Sequence, residues 1–158
     1  MSGAPILYVD ADACPVKDEV YRVAERFGLT VYVVANTWIR TPGALLNGGR
    51  AEMVVVEDGP DVADDWIAER AGPGDIVITA DIPLADRALK AGAAALSAKG
   101  RPFTPDSIGA ALAQRAVMEH IRSTGEITGG PSAFTQADRS RFLQALDEAV
   151  NRALRGGG

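Results

Sequence analysis

The feature that most constrains the fold is a regular alternation of short apolar segments with amphipathic segments over residues 6–96. The apolar segments are rich in β-branched residues and have strand length; they are residues 6–9, 30–35, 53–56, 75–79 and 93–96. Residues 16–27, 61–70 and 83–91 instead place their apolar side chains at helical spacing. This alternation is typical of a parallel sheet with helices on both faces. We therefore predict a three-layer α/β/α fold with a mainly parallel sheet.

After residue 100 the pattern becomes helical throughout. Residues 106–123 and 135–154 are the candidate helices, separated by a loop at residues 125–131. A chain of 158 residues is about the size of one domain. We predict a single domain over residues 1–155 that includes two C-terminal helices, followed by a disordered tail at residues 156–158.

Composition excludes several other classes of protein. Hydrophobic residues make up 47% of the chain and charged residues 23%, which is typical of a folded domain. The longest apolar runs are far shorter than the ~20 residues that cross a bilayer, and no secretory signal is visible, so we expect a cytoplasmic protein with no membrane partner. One cysteine, Cys14, and one histidine, His120, argue against a zinc site built from Cys and His.

Seven aspartates follow the predicted strands. They are Asp10, Asp12, Asp58, Asp61, Asp64, Asp65 and Asp81. Because parallel strands end at the same edge of a sheet, these side chains are expected at the edge where ligands bind in open α/β sheets. Carboxylates that lie close together repel one another unless a cation is present, and oxygen ligands suit Mg²⁺ or Mn²⁺. Simpler roles remain open for some of them: Asp12 and Asp61 could cap helices, and Asp58 could belong to a turn.

Other polar residues follow the same strands. Asn36 and Arg40 come after the second strand and Thr79 after the fourth, which makes them candidates for substrate binding. Cys14 stands near a helix start, but a buried small side chain explains it better than a catalytic thiol.

Four sequence motifs resemble those of the YaiI/YqxD family of bacterial proteins. They are Y-V-D-A-D-A-C-P at residues 8–15, D-V-A-D-D-W-I-A-E-R at residues 61–70, G-D-I-V-I-T-A-D-I-P-L-A at residues 74–85 and T-G-G-P at residues 128–131. The resemblance spans nearly the whole chain. That family in turn resembles PIN-like domains, a nuclease fold with carboxylates at the strand ends.

The PIN-like resemblance implies metal-assisted hydrolysis of a phosphodiester, with RNA as the substrate and Mg²⁺ or Mn²⁺ as the cofactor. It implies Asp10 as the ligand after the first strand and Asp81 as the ligand after the fourth. From the helix it implies one of Asp61, Asp64 or Asp65, and we favour Asp64 and place Asp65 second. Asp12 has no fixed counterpart in that pattern but is kept as a further metal-ligand candidate.

Charge is unevenly distributed along the chain. Residues 1–98 carry 8 Lys and Arg against 15 Asp and Glu, whereas residues 99–158 carry 8 against 6. A nuclease with an acidic catalytic edge needs basic groups to hold the phosphate backbone. We predict that at least two arginines of the basic segment approach that edge, with Arg101 and Arg139 as the substrate-binding candidates among Arg101, Arg115, Arg122, Arg139 and Arg141.

Two other functions stay open. In a receiver-type signalling domain, Asp58 would accept a phosphoryl group beside Asp10 and Asp12, with Thr79 and Lys99 completing the site. The helix that such domains place between the second and third strands is disfavoured here by four glycines and prolines in residues 42–49. In a haloacid-dehalogenase-like phosphatase, Asp10 would be the nucleophile and Asp12 the acid and base.

Overall fold

The computed structural model describes residues 4–11, 14–59, 61–123 and 134–156; for residues 115–123 it describes the backbone alone. The described residues contain six strands and five α-helices, together with a short 3-10 helix at Leu46–Gly48. In order, the strands and α-helices are β1 (Ile6–Asp10), α1 (Lys17–Phe27), β2 (Thr30–Ala35), β3 (Gly43–Ala44), β4 (Arg50–Val55), α2 (Val62–Arg70), β5 (Ile76–Ile78), α3 (Ile82–Lys90), β6 (Ala94–Leu96), α4 (Pro105–Ser123) and α5 (Gln136–Gly156).

The strands form one sheet in the order β3-β4-β2-β1-β5-β6. All neighbouring pairs are parallel except β3 with β4. The predicted α/β class with a mainly parallel sheet is therefore confirmed. β3 was not predicted: it has two residues, and it lies among the glycines and prolines of residues 42–49, where only a helix was judged unfavourable.

The two faces of the sheet are covered by different helices because alternate residues of each strand point to opposite faces. Leu7 and Val9 of β1 pack in one core with buried residues of α1 and α5, such as Val20 and Phe142. Tyr8, between them, belongs to a second core. That second core is closed by Ile67 of α2, by Leu84, Ala85 and Ala88 of α3, and by Ile108 of α4. The three layers thus follow from the period-two pattern of the strands.

Helix boundaries lie within one or two residues of the predicted ones. α1 ends at Gly28, whose φ of 68° is in the left-handed region that favours glycine. A Cβ there would collide with the backbone carbonyl oxygen of Asn47, which packs against this turn. α5 continues to Gly156, the first residue of the predicted tail, and Gly157 and Gly158 lie outside the described residues.

Candidate active site at the carboxyl edge of the sheet

Asp10 and Asp81 reach the same edge of the sheet from adjacent strands. β1 pairs with β5 in parallel, with Val9 opposite Ile78, so the segments that follow these two strands leave the sheet at the same edge. Asp10 is the last residue of β1, and Asp81 stands three residues beyond the end of β5. The predicted proximity of these two strand ends is confirmed.

Thr79 links Asp10 to the backbone of Asp81. It is buried, and its hydroxyl donates a hydrogen bond to Oδ2 of Asp10 at 2.8 Å. The hydroxyl oxygen of Thr79 also accepts a hydrogen bond from the backbone N–H of Asp81 at 2.9 Å. A single side chain therefore fixes the end of β1 relative to the start of α3.

Asp81 also begins α3. Its Oδ1 accepts the backbone N–H of Leu84 at 2.9 Å, which is the contact of an N-cap residue, and Pro83 stands in the first turn. The orientation of the carboxylate is set by this cap and by the backbone contact with Thr79. Capping and ligand binding are compatible, because a carboxylate has two oxygens with several acceptor positions.

Asp64 faces this pair from the first turn of α2. Burial, the negative charges of Asp81 and Asp10, a hydrogen bond with Asp81 and the charge of Asp61 together raise the pKa of Asp64 to about 7. A raised pKa means that Asp64 holds its proton more readily than a solvent-exposed aspartate, which relieves the repulsion among these carboxyl groups. Carboxyl groups from the end of β1, the first turn of α2 and the start of α3 therefore interact electrostatically at this edge.

The position of α2 over the sheet is fixed by an aromatic cluster. The ring of Trp66 meets Tyr8 and Tyr32 edge-on, with centroid distances of 6.1 and 5.8 Å, and the two tyrosines stack at 5.8 Å. Arg70, one turn later, lies 4.1 Å from the centroid of the Trp66 ring. These contacts hold the first turn of α2, and with it Asp64, beside the ends of β1 and β5.

The other two aspartates of this helix region play different roles. The exposed carboxylate of Asp65 forms an ion pair with Arg87 of α3 at 2.6 Å. Asp61 occupies the N-cap position of α2, but its side chain makes no capping hydrogen bond. Of the three helix candidates, the structure therefore brings Asp64 to the pair, as preferred from the sequence, and Asp61 contributes its charge nearby.

No group of three or more His, Cys, Asp or Glu in the described residues has the arrangement of a metal site. Asp12, a predicted metal ligand, lies outside the described residues, as does the T-G-G-P segment. The donor types nonetheless fit a hard divalent cation, since the cluster offers carboxylate oxygens and the hydroxyl of Thr79.

The candidate substrate-binding residues are spread over several loops. Asn36 and Arg40 are exposed in the loop after β2, where the hydroxyl of Thr37 donates to Oδ1 of Asn36 at 3.1 Å. Arg101 is exposed in the loop after β6, where its backbone N–H bonds the Ser97 hydroxyl.

Two arginines of the basic segment have structural partners. The guanidinium of Arg139 donates to the carbonyl oxygen of Pro15 at 2.9 Å and to Glu19 at 3.1 Å. It therefore lies by the loop after β1, but it is used to tie α5 to α1. Arg141 pairs with Asp138 at 3.0 Å, while the side chains of Arg115 and Arg122 lie outside the description. Whether two arginines serve the acidic edge stays a prediction.

None of the described residues of the receiver-type alternative forms a hydrogen bond or an ion pair with Asp58. The Thr79 hydroxyl donates its hydrogen bond to Asp10, as described above. Lys99 lies close enough to Asp138 to help lower its pKa, after the larger effect of the Thr135 backbone hydrogen bond. Asp58 is exposed and, within the described residues, forms no hydrogen bond or ion pair.

Cys14 is buried, as the sequence analysis favoured. Burial raises the pKa of its thiol, which keeps it protonated and unreactive as a nucleophile. Trp38, which is 69% exposed in the loop after β2, was not among the predicted site residues. A tryptophan among Asn36, Thr37 and Arg40 was the available signal.

These features define the class: a three-layer α/β/α protein with interacting carboxyl groups at the carboxyl edge of a parallel sheet. More particularly, the chain belongs to the family described as "Uncharacterized BCR, YaiI/YqxD family", whose model matches residues 8–152. The predicted family is thus confirmed.

Relatives from several bacteria share most of the chain. It is 66% identical over 150 residues to a UPF0178 protein of Caulobacter sp. (strain K31), covering 95% of this chain and 97% of the relative. A UPF0178 protein of Parvibaculum lavamentivorans is 61% identical over 149 residues, which cover 94% of this chain and 95% of the relative. No solved structure matches the chain. The PIN-like resemblance stays a prediction.

In the described chain, no helix combines the length and the apolar character needed to cross a membrane.

Proposed function

We propose that this protein is a divalent-metal-dependent phosphodiesterase that acts on RNA. The observation that carries the proposal is the meeting of Asp10, Asp64 and Asp81 at the carboxyl ends of the adjacent strands β1 and β5, which Thr79 ties together. Partial burial and the charges of Asp81 and Asp10 raise the pKa of Asp64 to about 7, which agrees with this proximity. Perturbed carboxyl groups of this kind, gathered at the edge where open α/β sheets bind ligands, are typical of functional sites.

A divalent cation would be held by Asp10, Asp64 and Asp81. When bound, Mg²⁺ or Mn²⁺ lowers the pKa of water and offsets the negative charge of a phosphodiester. Asp10 and Asp81 are already oriented, the first by the Thr79 hydroxyl and the second by its cap on α3. Such outer contacts fix the direction of ligand oxygens and reduce the cost of assembling the site.

Asp64 supplies a carboxyl group that exchanges its proton near neutral pH. In its ionised form it adds a third carboxylate to those of Asp10 and Asp81, and the charge of a bound cation would hold it in that form. The protein needs no histidine or covalent nucleophile for this reaction, which agrees with a chain that has a single buried cysteine and a single histidine.

Substrate contacts would come from loops that leave the same edge. Asn36 and Arg40 follow β2, and Arg101 follows β6, so a nucleic acid strand crossing the ends of β2, β1, β5 and β6 would meet all three. Arginine side chains bind phosphate oxygens through several N–H groups at once. Arg139 has a weaker claim because its guanidinium already bonds Pro15 and Glu19.

The test compares Asp81→Asn with Asp65→Asn. Each substitution removes one negative charge and keeps nearly the same side-chain shape. The two sites differ because Asp65 is exposed and forms an ion pair with Arg87. We expect Asp81→Asn to weaken Mn²⁺ binding, followed by calorimetry, at least tenfold, and to abolish Mn²⁺-dependent cleavage of a labelled single-stranded RNA. Asp65→Asn should change both by less than threefold. Wild-type protein that neither binds Mn²⁺ nor cleaves RNA, or equal effects of the two variants, would refute the proposal.

A further inference from the structure

Trp38 is a large apolar side chain displayed to solvent. It is 69% exposed, whereas Trp66, the other tryptophan, is packed against Tyr8 and Tyr32. Single exposed apolar residues are common on protein surfaces, so exposure alone does not indicate a binding role for Trp38. Such a role is indicated instead by the position of Trp38 and by the residues beside it.

The ring is placed near the acidic edge by the sheet. Val34 of β2 lies directly opposite Asp10 of β1, and Trp38 follows Val34 by four residues. Adjacent strands are about 5 Å apart and a chain extends at most ~3.6 Å per residue, so the Cα atoms of Trp38 and Asp10 lie within roughly 20 Å. A few nucleotides of a bound strand can bridge that separation.

The loop presents the ring from an anchored backbone. Ile39 packs against the core between α1, α5 and the sheet, while its neighbours Trp38 and Arg40 are both exposed. The Thr37 hydroxyl bonds the Asn36 side chain at 3.1 Å just before them. The Trp38 ring and the Arg40 guanidinium are thus exposed on either side of Ile39, which is anchored in the core.

The neighbours of Trp38 favour nucleic acid over a protein partner. Asn36, Thr37 and Arg40 are all exposed and polar, and in the described part of the chain Arg40 pairs with no carboxylate. Protein interfaces centre on contiguous apolar surface, whereas proteins that hold single strands combine aromatic rings for the bases with cationic groups for the backbone.

We propose that Trp38 stacks on an unpaired base of a single-stranded nucleic acid while Arg40 binds a phosphate beside it. The inference rests on the proposed function, because it takes the substrate to be a nucleic acid, and it adds a requirement for an unpaired base at a set distance from Asp10, Asp64 and Asp81. Trp38 is then a substrate-binding residue that selects strands with exposed bases.

The test measures binding of two ten-nucleotide labelled RNA strands, one with bases and one abasic, with Ca²⁺ in place of Mg²⁺. Stacking contributes enough that its loss weakens binding about 5- to 150-fold. We expect the wild type to prefer the strand with bases by such a factor and Trp38→Ala to lose the preference. Trp38→Phe should recover part of it, and Arg40→Ala should weaken binding of both strands alike. Leu46→Ala, which removes an equally exposed apolar side chain elsewhere, is the matched control.

Fluorescence locates the contact. Trp66→Phe leaves Trp38 as the sole tryptophan, and its emission should be quenched by the strand with bases; Trp38→Ala leaves Trp66, whose emission should not change. Equal binding of both strands by the wild type, or a preference that survives Trp38→Ala, would overturn the proposal. So would an emission change of Trp38 that depends on protein concentration alone, since it would assign the ring to contact between copies.

The two proposals fail separately. Cleavage that depends on Asp81 but is indifferent to Trp38→Ala and to the presence of unpaired bases would remove the stacking role and leave the phosphodiesterase. Base-dependent binding through Trp38 without Mn²⁺-dependent cleavage would remove the phosphodiesterase and leave a single-strand binding site.

Discussion

The Thr79 hydroxyl accepts a hydrogen bond from the backbone N–H of Asp81 and donates one to the carboxylate of Asp10, so one buried oxygen atom links the end of β1 to the start of α3. We expect Thr79→Val, which keeps the shape and removes the oxygen, to destabilise the fold by about 1–3 kcal/mol because the Asp81 N–H loses its acceptor. Urea unfolding measures the change. Thr79→Ser keeps the hydroxyl and should recover most of the stability and of the Mn²⁺ affinity; a serine variant no better than valine would contradict the role of the oxygen.

The stability of the protein should depend on the proton of Asp64. Its folded pKa is about 7 and the usual value is lower, so the native state binds more protons than the unfolded chain between about pH 4 and pH 7. The Asp64 contribution to stability therefore decreases as pH rises through this window and is level above it. Asp64→Asn removes the charge, and above pH 7 we expect it to raise the free energy of unfolding by about 1–2 kcal/mol after solvent screening is considered. Below pH 4 the gain should vanish, and a pH-independent difference would contradict this.

The affinity for Mn²⁺ should depend on the protonation state of Asp64. Because Asp64 must lose its proton to become a ligand, binding of Mn²⁺ releases a proton near pH 6. We expect the affinity to increase by up to about tenfold per pH unit below pH 7 and to level off above it. Calorimetry in buffers of different ionisation enthalpy measures the released proton directly. An affinity that is flat between pH 6 and pH 8 would place the metal away from Asp64.

Two ion pairs join α1 to α5, and they should differ in strength. The Arg26–Asp147 pair is 2.8 Å long and exposed, with the arginine side chain 60% accessible, whereas Glu19 in the Arg139 pair is 12% accessible. Arg139 also bonds the Pro15 carbonyl and lies over the Phe134 ring. We expect Arg26→Ala to cost about 0–1 kcal/mol and Arg139→Ala about 1–3 kcal/mol. Equal losses in thermal unfolding would contradict the structural role of Arg139.

Arg101 provides the clearer test of the basic segment. It is exposed, and within the described residues its side chain forms no ion pair. We expect Arg101→Glu to weaken RNA binding and to reduce its dependence on salt, with no loss of stability. Filter binding at several salt concentrations measures both effects, and binding unchanged by the reversal would exclude Arg101 from the RNA path.

The sheet was largely predictable, and the choice among neighbouring carboxylates was only partly so. Strand pattern and helix spacing are local properties, which is why β1, β2 and the helices were found within one or two residues. β3 was not, because two residues carry no periodic signal and both lie in a stretch rich in glycine and proline that does not indicate a strand. Asp64 and Asp65 are consecutive, so local sequence gives both the same helix-start character; tertiary contacts with Asp81 and with Arg87 separate them.

The C-terminal helix α5 covers the face of the sheet that carries Leu7 and Val9, through Phe142, Leu146 and Val150. During synthesis, α1 can cover part of this face of β1 early, but the part that α5 covers stays exposed until residues 136–156 have been made. A chain shortened after α4 would therefore lack Phe142, Leu146 and Val150 and would leave their neighbours in this core exposed to solvent.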